Sequence, residues 1–443
     1  MAGKTTKLGI FDATMVVMGG IVGSGIFINP YVVARHLFSP GTILTAWAVG
    51  GAIALAGAFI YAELGARLPE AGGQYAYLRD AYHPSLAFLY GWVLLLVIQT
   101  GGMAAVAVTF SAYFLELTKL SVSPSIVAIL VLAGLALVNC LGLRAGSSVQ
   151  SALMVMKIVA ILVLVAGGAW FLSRGGVPPA ATPLAAPAGP LALLEGMGAA
   201  MVPVLFAYGG WQTTNFIAEE IREPRKNLPR ALVAGVLGVI ALYLAANAVY
   251  VGVLGPAGLA ATATPASAVM ARTLGPRGSQ WIAVGIAVST LGFLSQSILT
   301  APRVYYAMAR DGLFFRSVGR LEPKTGVPTV AILLQAAMAI VIALSGRYDQ
   351  ILSYVVSMDF LFFGLTATCL FVFRRRDAGA LPGPRVPGHP VTTILFIAAS
   401  WLVVANTAVR YARNTAIGMG ILAAGVPAYF VWRRLASRAA AAR

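Results

Sequence analysis

The sequence predicts an all-α integral membrane protein with twelve transmembrane helices. Apolar residues occupy 59% of its 443 positions and charged residues only 10%, whereas soluble domains carry about 25% charged residues. Windows of about 20 apolar residues, long enough to cross a bilayer as a helix, recur along the whole chain and leave no room for a soluble domain. The predicted spans are residues 10–35, 42–66, 86–114, 124–141, 151–172, 194–217, 231–254, 280–308, 328–345, 350–373, 391–411 and 415–433.

Glycines interrupt two of these spans, the first at Gly23-Ser24-Gly25 and the sixth between Phe206 and Trp211. A break inside lipid leaves backbone donors and acceptors unpaired, which costs several kcal/mol per group unless something polar fills the gap. Paired interruptions in two halves of a chain indicate the binding site of a transporter. The alternative is that these glycines only allow helices to pack closely.

Span order predicts a five-plus-five inverted repeat in which helices 1 and 6 are discontinuous. Spans three and eight are both unusually long, as expected of equivalent tilted helices. One membrane domain is therefore expected, with a first repeat at residues 1–173, a second at 191–376 and two additional helices at 388–436.

The longer connections also carry structural signals. Residues 173–190 form a loop rich in Pro, Ala and Gly with little structure expected, and a short surface helix is expected at Pro265–Leu274. Residues Gln74–Tyr82 can form an interfacial helix that places tyrosines at the headgroup level.

The net charge of +17 does not indicate a nucleic-acid partner, because the Lys and Arg residues concentrate in the loops on one side of the bilayer. This asymmetry predicts that both termini are cytoplasmic. The N-terminal span is too long for a cleavable signal and lacks a cleavage site. Cys140 and Cys369 fall in apolar spans, so we expect buried thiols and no disulfide.

The two breaks together offer receptors for both ends of an amino acid. Amides of Gly23, Ser24 and Gly25 begin a half-helix, where the dipole and free N–H groups favour a carboxylate. Carbonyls at the ends of the partner half-helices favour an ammonium group, and the residues expected to supply them are Ile21, Phe206, Ala207 and Gly209.

Several motifs resemble those of the amino acid, polyamine and organocation superfamily, and the span-six block is similar to the L-type amino acid transporter family. They run from span one to the end of span eight and are specific in combination: Val22–Phe27, Pro69–Leu78, Phe206–Trp211 with Glu219 and Glu220, Pro224–Arg230 and Ala301–Gly312. This resemblance implies the inverted-repeat fold and transport by alternating access.

Lys157 lies among apolar residues inside span five, where a charge is expensive and marks a functional candidate. The resemblance implies that this lysine replaces the cation that bridges spans one and eight in sodium-coupled relatives, with Ser289, Thr290 and carbonyls near Gly20 as neighbours. A permanently charged lysine fits exchange, and one that loses its proton fits proton coupling. The alternative is a lysine that snorkels to one interface.

Further polar and aromatic residues inside the spans are weaker candidates. Phe206 matches an aromatic gate of the family, whereas Glu63 is expected to make a structural contact at the inner end of span two. For Asp359, proton coupling and a structural role both stay open. The remaining candidates for pocket or broken-helix contacts are Tyr243, Asn247, Gln99 and Thr100.

The sequence indicates no enzyme, metal or cofactor site, because its histidines lie in loops or at span ends and no ligand spacing or phosphate-binding loop occurs. We expect a sodium-independent exchanger of neutral L-amino acids in a bacterial-type inner membrane. Proton-coupled uptake through Lys157 is the alternative, and a membrane amino acid sensor is the alternative of another class. A polyamine substrate is less expected, because no pocket carboxylate is placed.

The resemblance also raises the question of a partner subunit. Animal L-type members pair through a cysteine after span three with a single-span glycoprotein. The corresponding loop, Leu117–Ser125, contains no cysteine, so a disulfide-linked heavy subunit is not expected and the lipid bilayer and the substrate are the expected partners.

Overall fold

The computed structural model describes residues 7–141, 143–179, 189–345, 348–377 and 383–441, and these residues are almost entirely helical. The predicted loop 173–190 lies partly outside this set. The helices are α1 (Ile10–Ile21), α2 (Gly25–Ala34), α3 (Pro40–Arg67), α4 (Gln74–Ala81), α5 (Pro84–Val93), α6 (Gln99–Thr118), α7 (Pro124–Cys140), α8 (Leu143–Ser173), α9 (Pro190–Tyr208), α10 (Pro224–Ala260), α11 (Pro265–Thr300), α12 (Pro302–Arg310), α13 (Thr329–Ser345), α14 (Tyr348–Arg376), α15 (Val391–Arg410) and α16 (Ala412–Ala441).

Ten segments in the described part of the chain are long and apolar enough to cross a membrane. Two shorter apolar helices, Pro124–Cys140 and Thr329–Leu344, coincide with predicted spans four and nine. The all-helical, multi-pass membrane architecture is thus confirmed. The count of twelve crossings, the inverted repeat and the three-part division of the chain stay predictions.

Both predicted breaks are present in the backbone. Helix α1 ends at Ile21, Val22 is extended, and α2 begins at Gly25. Helix α9 ends at Tyr208, and Gly210 adopts φ +103°, a conformation that favours glycine. The chain then continues to Glu220 as a 3-10 helix instead of the predicted α-helix.

The two breaks lie directly against each other. A Cβ atom added to Gly20 would be 2.6 Å from the Gly210 carbonyl oxygen, and one added to Gly25 would be 2.6 Å from the Cα atom of Ala207. Backbones can approach this closely only where side chains are absent. The glycines therefore serve both to break the helices and to join the two breaks.

Smaller elements also follow the sequence. Helix α4 forms where the interfacial helix is predicted, and Gly275 in a left-handed conformation separates the predicted surface helix from the rest of α11. The long third span contains an unpredicted π-helical turn at Leu94–Ile98. Such turns inside α-helices are frequent at functional sites.

Ion pairs join the helices at the predicted cytoplasmic end. Glu63 of α3 accepts hydrogen bonds from Arg67, from Arg374 at 2.6 Å and from the Val386 amide at 2.8 Å. The structural contact predicted for Glu63 is thus confirmed. Elsewhere at this end, Arg303 pairs with Glu220 at 3.0 Å.

Candidate binding site between the two helix breaks

A cavity lies between the two broken helices, with contributions from α6, α11 and α14. It encloses about 670 Å³ of space not filled by protein atoms, including the part open to solvent. All the residues predicted to bind the two ends of an amino acid line it: Ile21, Gly23, Ser24, Gly25, Phe206, Ala207 and Gly209. The sequence therefore located the cavity wall correctly, while the role of each residue stays a prediction.

The start of α2 presents unpaired amides to this cavity. Within the described residues, the amides of Gly23, Ser24 and Gly25 have no backbone acceptor, whereas those of Phe27 and Ile28 donate to the Ser24 carbonyl oxygen. The Ser24 hydroxyl is buried and also lacks a protein partner. Free N–H groups at a helix N-terminus attract an anion.

The carbonyls predicted to receive an ammonium group are partly engaged. The Ile21 oxygen accepts a hydrogen bond from the Tyr243 hydroxyl at 3.1 Å, and the Phe206 oxygen accepts one from the Gly209 amide at 3.1 Å. A carbonyl oxygen can accept two hydrogen bonds, so the Ile21 oxygen retains capacity. The oxygens of Ala207 and Gly209 accept no hydrogen bond within the part of the chain that the structure covers.

The Lys157 side chain, on α8, is hydrogen-bonded to the C-terminal end of the first half-helix, α1. Its side chain is fully buried, and Nζ donates to the Val22 carbonyl oxygen at 2.8 Å and to the Gly19 carbonyl oxygen at 3.5 Å. The last carbonyls of a helix lack intrahelical donors and carry a partial negative charge. Lys157 supplies hydrogen-bond donors to these carbonyls, and its burial excludes the snorkelling alternative.

The hydroxyl groups expected around Lys157 are not hydrogen-bonded to it, and their role as its neighbours stays a prediction. Thr290 donates its hydroxyl to the Ala287 carbonyl, the Ser289 hydroxyl has no partner among the described residues, and neither is hydrogen-bonded to the lysine. Gly292, three residues after Ser289 on the same helix, lies directly against the lysine, because a Cβ atom there would be 2.9 Å from Lys157 Cε.

Gly20 is likewise not an acceptor for the lysine. Its carbonyl faces the Gly210 backbone, and the acceptors are its neighbours Gly19 and Val22. The prediction identified the correct end of α1 but not the carbonyls that point toward α8.

Two of the four weaker candidates, Tyr243 and Gln99, reach a helix break or line the cavity, and the hydrogen bonds of the other two, Asn247 and Thr100, go elsewhere. Tyr243 reaches the first break directly, whereas Asn247 donates to the Tyr243 carbonyl one turn away and not to a broken helix. Gln99 lines the cavity, but Thr100 does not and donates to the Leu95 carbonyl across the π-helical turn.

Sequence reasoning missed several cavity residues. The Phe293 ring packs against Gly23, and Gln296 Nε2 donates to the Thr213 hydroxyl at 3.0 Å. Gln296 carries a signal that was available, since a polar side chain inside an apolar span marks a functional position by the same rule that identified Lys157. Phe293 and Thr213 carry none, because aromatic and hydroxyl residues are common in membrane helices.

Asp359 of α14 also lines the cavity. Its side chain is buried, and in the described part of the chain it forms no ion pair and its Oδ1 has no hydrogen-bond partner. The cavity therefore has a carboxylate that the sequence did not place there.

A comparison with known protein families identifies this architecture. The family model of the amino acid permeases matches residues 8–430, nearly the whole chain. The chain belongs to the amino acid permease family. This assignment confirms the resemblance to the amino acid, polyamine and organocation superfamily, and it confirms that the chain is not an enzyme, because the family consists of transporters.

Individual relatives of this permease family agree. The chain is 30% identical over 439 residues to the serine/threonine exchanger SteT of Bacillus subtilis, covering 97% of each protein. It is 31% identical to the b(0,+)-type amino acid transporter 1 of Mus musculus, over 84% of this chain and 78% of the mouse protein. It is 30% identical to the large neutral amino acids transporter small subunit 2 of Homo sapiens, over 96% and 80% respectively.

Proposed function

We propose that the protein is a sodium-independent secondary transporter that exchanges neutral L-amino acids across a bacterial-type inner membrane by alternating access. The observation that carries the proposal is the hydrogen bond from Lys157 Nζ to the Val22 carbonyl oxygen, 2.8 Å long, at the break of the first span. In this proposal Lys157 is a covalently attached cation that takes the place of the ion expected at the same break in sodium-coupled relatives of this fold.

A fixed cation removes the need for a diffusible one. The carbonyls at the end of α1 are orphaned by the break, and leaving them unpaired in a low-dielectric interior is costly. Lys157 satisfies them in every transport cycle, so the stability of this break does not depend on external sodium. Without a coupled ion, accumulation of one substrate has to be driven by the gradient of another, which is exchange.

The cavity walls support an amino acid as the substrate. Unpaired amides of Gly23, Ser24 and Gly25 face the cavity across from the carbonyls of Ala207 and Gly209. The substrate carboxylate would meet the amides and its ammonium the carbonyls, with the Ile21 oxygen contributing its second acceptor position and the Phe206 oxygen as a further acceptor. The Phe206 side chain, at the rim of the second break, would act as the gate.

The relatives favour exchange of neutral substrates. One is named a serine/threonine exchanger and another a large neutral amino acids transporter. With this function we propose twelve membrane crossings in a five-plus-five inverted repeat, both termini in the cytoplasm, and no disulfide-linked heavy subunit, since Leu117–Ser125 contains no cysteine.

Counterflow in proteoliposomes tests the proposal. Labelled L-threonine is added outside vesicles that contain either excess unlabelled L-threonine or buffer alone, with sodium replaced by choline in half of the samples. Exchange predicts accumulation only with internal substrate, equal with and without sodium. Uptake into empty vesicles driven by a pH gradient alone would establish proton coupling instead, and saturable binding without counterflow would indicate a sensor.

A further inference from the structure

Asp359 is the acidic side chain in the wall of the cavity between the helix breaks. It is 8% exposed, and the residues beside it on α14 that also line the cavity are Val355, Val356 and Phe360, all apolar. No other described carboxylate lines this cavity. The carboxylate is thus a single strong acceptor on the otherwise apolar part of the wall that α14 contributes.

Within the described residues this acceptor is left unpaired, in contrast to the carboxylates of Glu63, which is buried, and of Asp311, which is exposed. Glu63 is paired with Arg374, and Asp311 accepts hydrogen bonds from Tyr75 and Arg79. For Asp359, the described residues provide neither an ion pair nor a partner for Oδ1. Because unpaired buried polar groups are costly and rare, a ligand that brings its own donor is the natural partner.

The other groups that line the cavity indicate that the side chain of the ligand would carry this donor. The amides at Gly23–Gly25 and the carbonyls at Ala207 and Gly209 suit the two charged ends of an amino acid, which leaves Asp359 on α14 for the side chain. Gln99, on the neighbouring α6, adds a second polar group to the wall.

We propose that Asp359 is the residue that selects the substrate side chain, by accepting a hydrogen bond from a hydroxyl, amide or ammonium group at its end. This inference rests on the proposed function, since it assumes an amino acid in this cavity. It narrows the substrates to amino acids with a donor in the side chain and ranks purely aliphatic ones lower. A site that hydrogen-bonds a substrate group discriminates strongly against the analogue that lacks it.

Matched ligand pairs test the selectivity by binding alone. Threonine and valine have nearly the same shape and differ by a hydroxyl, whereas lysine and norleucine differ by an ammonium group. Apparent affinities come from ligand-induced thermal stabilisation of the purified protein in detergent. We expect the wild type to bind at least one donor-bearing member about 10-fold or more tighter than its apolar partner.

Two variants and one control identify the residue. Asp359→Leu should bring the affinity ratio of the preferred pair close to one while valine still binds. Asp359→Asn, which keeps an acceptor oxygen but no charge, should retain a preference for threonine and lose one for lysine, which distinguishes the two donor classes. Ser357→Ala, on the same helix but away from the cavity, where its hydroxyl donates to the Tyr354 carbonyl, should leave both ratios unchanged.

Two results would overturn the inference: equal affinities within both pairs in the wild type, or an unchanged ratio in Asp359→Leu. Asp359→Ala, which adds no bulk, gives the same readout should the leucine variant fail to fold. Selective binding without counterflow would contradict the proposed exchange but leave the role of Asp359 supported, so the two failures are distinguishable.

Discussion

Lys157 on α8 and Val22 at the end of α1 are joined by a hydrogen bond of 2.8 Å although they are 135 residues apart in sequence. Val22 is the residue at which the first span stops being helical. The bond therefore connects the fifth span to the point where the first one breaks, and its donor is a basic group of the kind that suits a helix C-terminus.

Removing the charge from Lys157 should impair transport. Lys157→Met keeps most of the side-chain volume but leaves the Val22 and Gly19 carbonyls without their donor. An unsatisfied buried group costs about 1–3 kcal/mol, so we expect counterflow to fall about 10-fold or more.

Lys226→Met is the matched control, because that side chain is 70% exposed and its ion pair with Glu223 is at the surface. Its activity should stay near the wild-type value. Wild-type exchange in Lys157→Met would remove the proposed role of the lysine.

Adding a methyl group where the two helix breaks meet should destabilise the protein. Gly20→Ala would bring Cβ to 2.6 Å from the Gly210 carbonyl oxygen, and Gly210→Ala would add strain at φ +103°. Overpacking of this kind costs about 1–3 kcal/mol, so both variants should lower the thermal midpoint and reduce counterflow.

Gly134→Ala is the control, since nothing lies within 4 Å of its added Cβ. A midpoint at or above the wild-type value is expected there. If Gly20→Ala and Gly134→Ala behave alike, the two half-helices are not in backbone contact.

The Glu63 cluster should contribute to stability and not to transport. Glu63→Gln replaces an acceptor with an amide that cannot pair with Arg374, Arg67 and the Val386 amide together. Breaking a buried ion pair costs about 3 kcal/mol, so the thermal midpoint should drop by several degrees in detergent.

Glu223→Gln, at a side chain 62% exposed, should change stability by no more than about 0.5 kcal/mol. A loss of exchange in Glu63→Gln without a change in the midpoint would instead assign this carboxylate to the transport cycle.

Stability should fall in mild acid because of His36, which follows α2. Burial, with added repulsion from Arg410 and Arg35, lowers the pKa of its imidazole below the ordinary value of 6.5. The folded state then binds the proton less tightly than the unfolded chain, so the free energy of unfolding decreases as the pH drops below 6.5. Thermal midpoints between pH 8 and pH 5 should decline less steeply in His36→Gln, and parallel profiles would contradict the assignment.

The sequence predicted those features that depend on local chemistry. Glycines in the middle of apolar spans mark Val22 and Gly210 as breaks, and an apolar environment marks Lys157 as functional, because each of these signals is local. Features that depend on how distant helices meet were not predictable. The ammonium group of Lys157 reaches the Gly19 and Val22 carbonyls and is not hydrogen-bonded to Ser289 or Thr290, because its partners are set by how α8, α1 and α11 pack together.

The same limit explains why the sequence did not predict that Asp359 and Phe293 line the cavity. One buried carboxylate in an apolar span indicates a functional residue, but not that it shares a cavity with Gly23 and Phe206. Phe293 carries no signal at all in the sequence. The Tyr243 hydroxyl was expected near the broken helices, yet its acceptor, Ile21, became clear only from the fold.

An experimental structure with bound L-threonine tests the central claim most directly. The account predicts that the substrate carboxylate lies within hydrogen-bond distance of the Gly23, Ser24 and Gly25 amides, that its ammonium faces the Ala207 and Gly209 carbonyls, and that Lys157 remains bonded to Val22. Threonine bound elsewhere, or a sodium ion at the end of α1 in place of the Lys157 ammonium group, would contradict it.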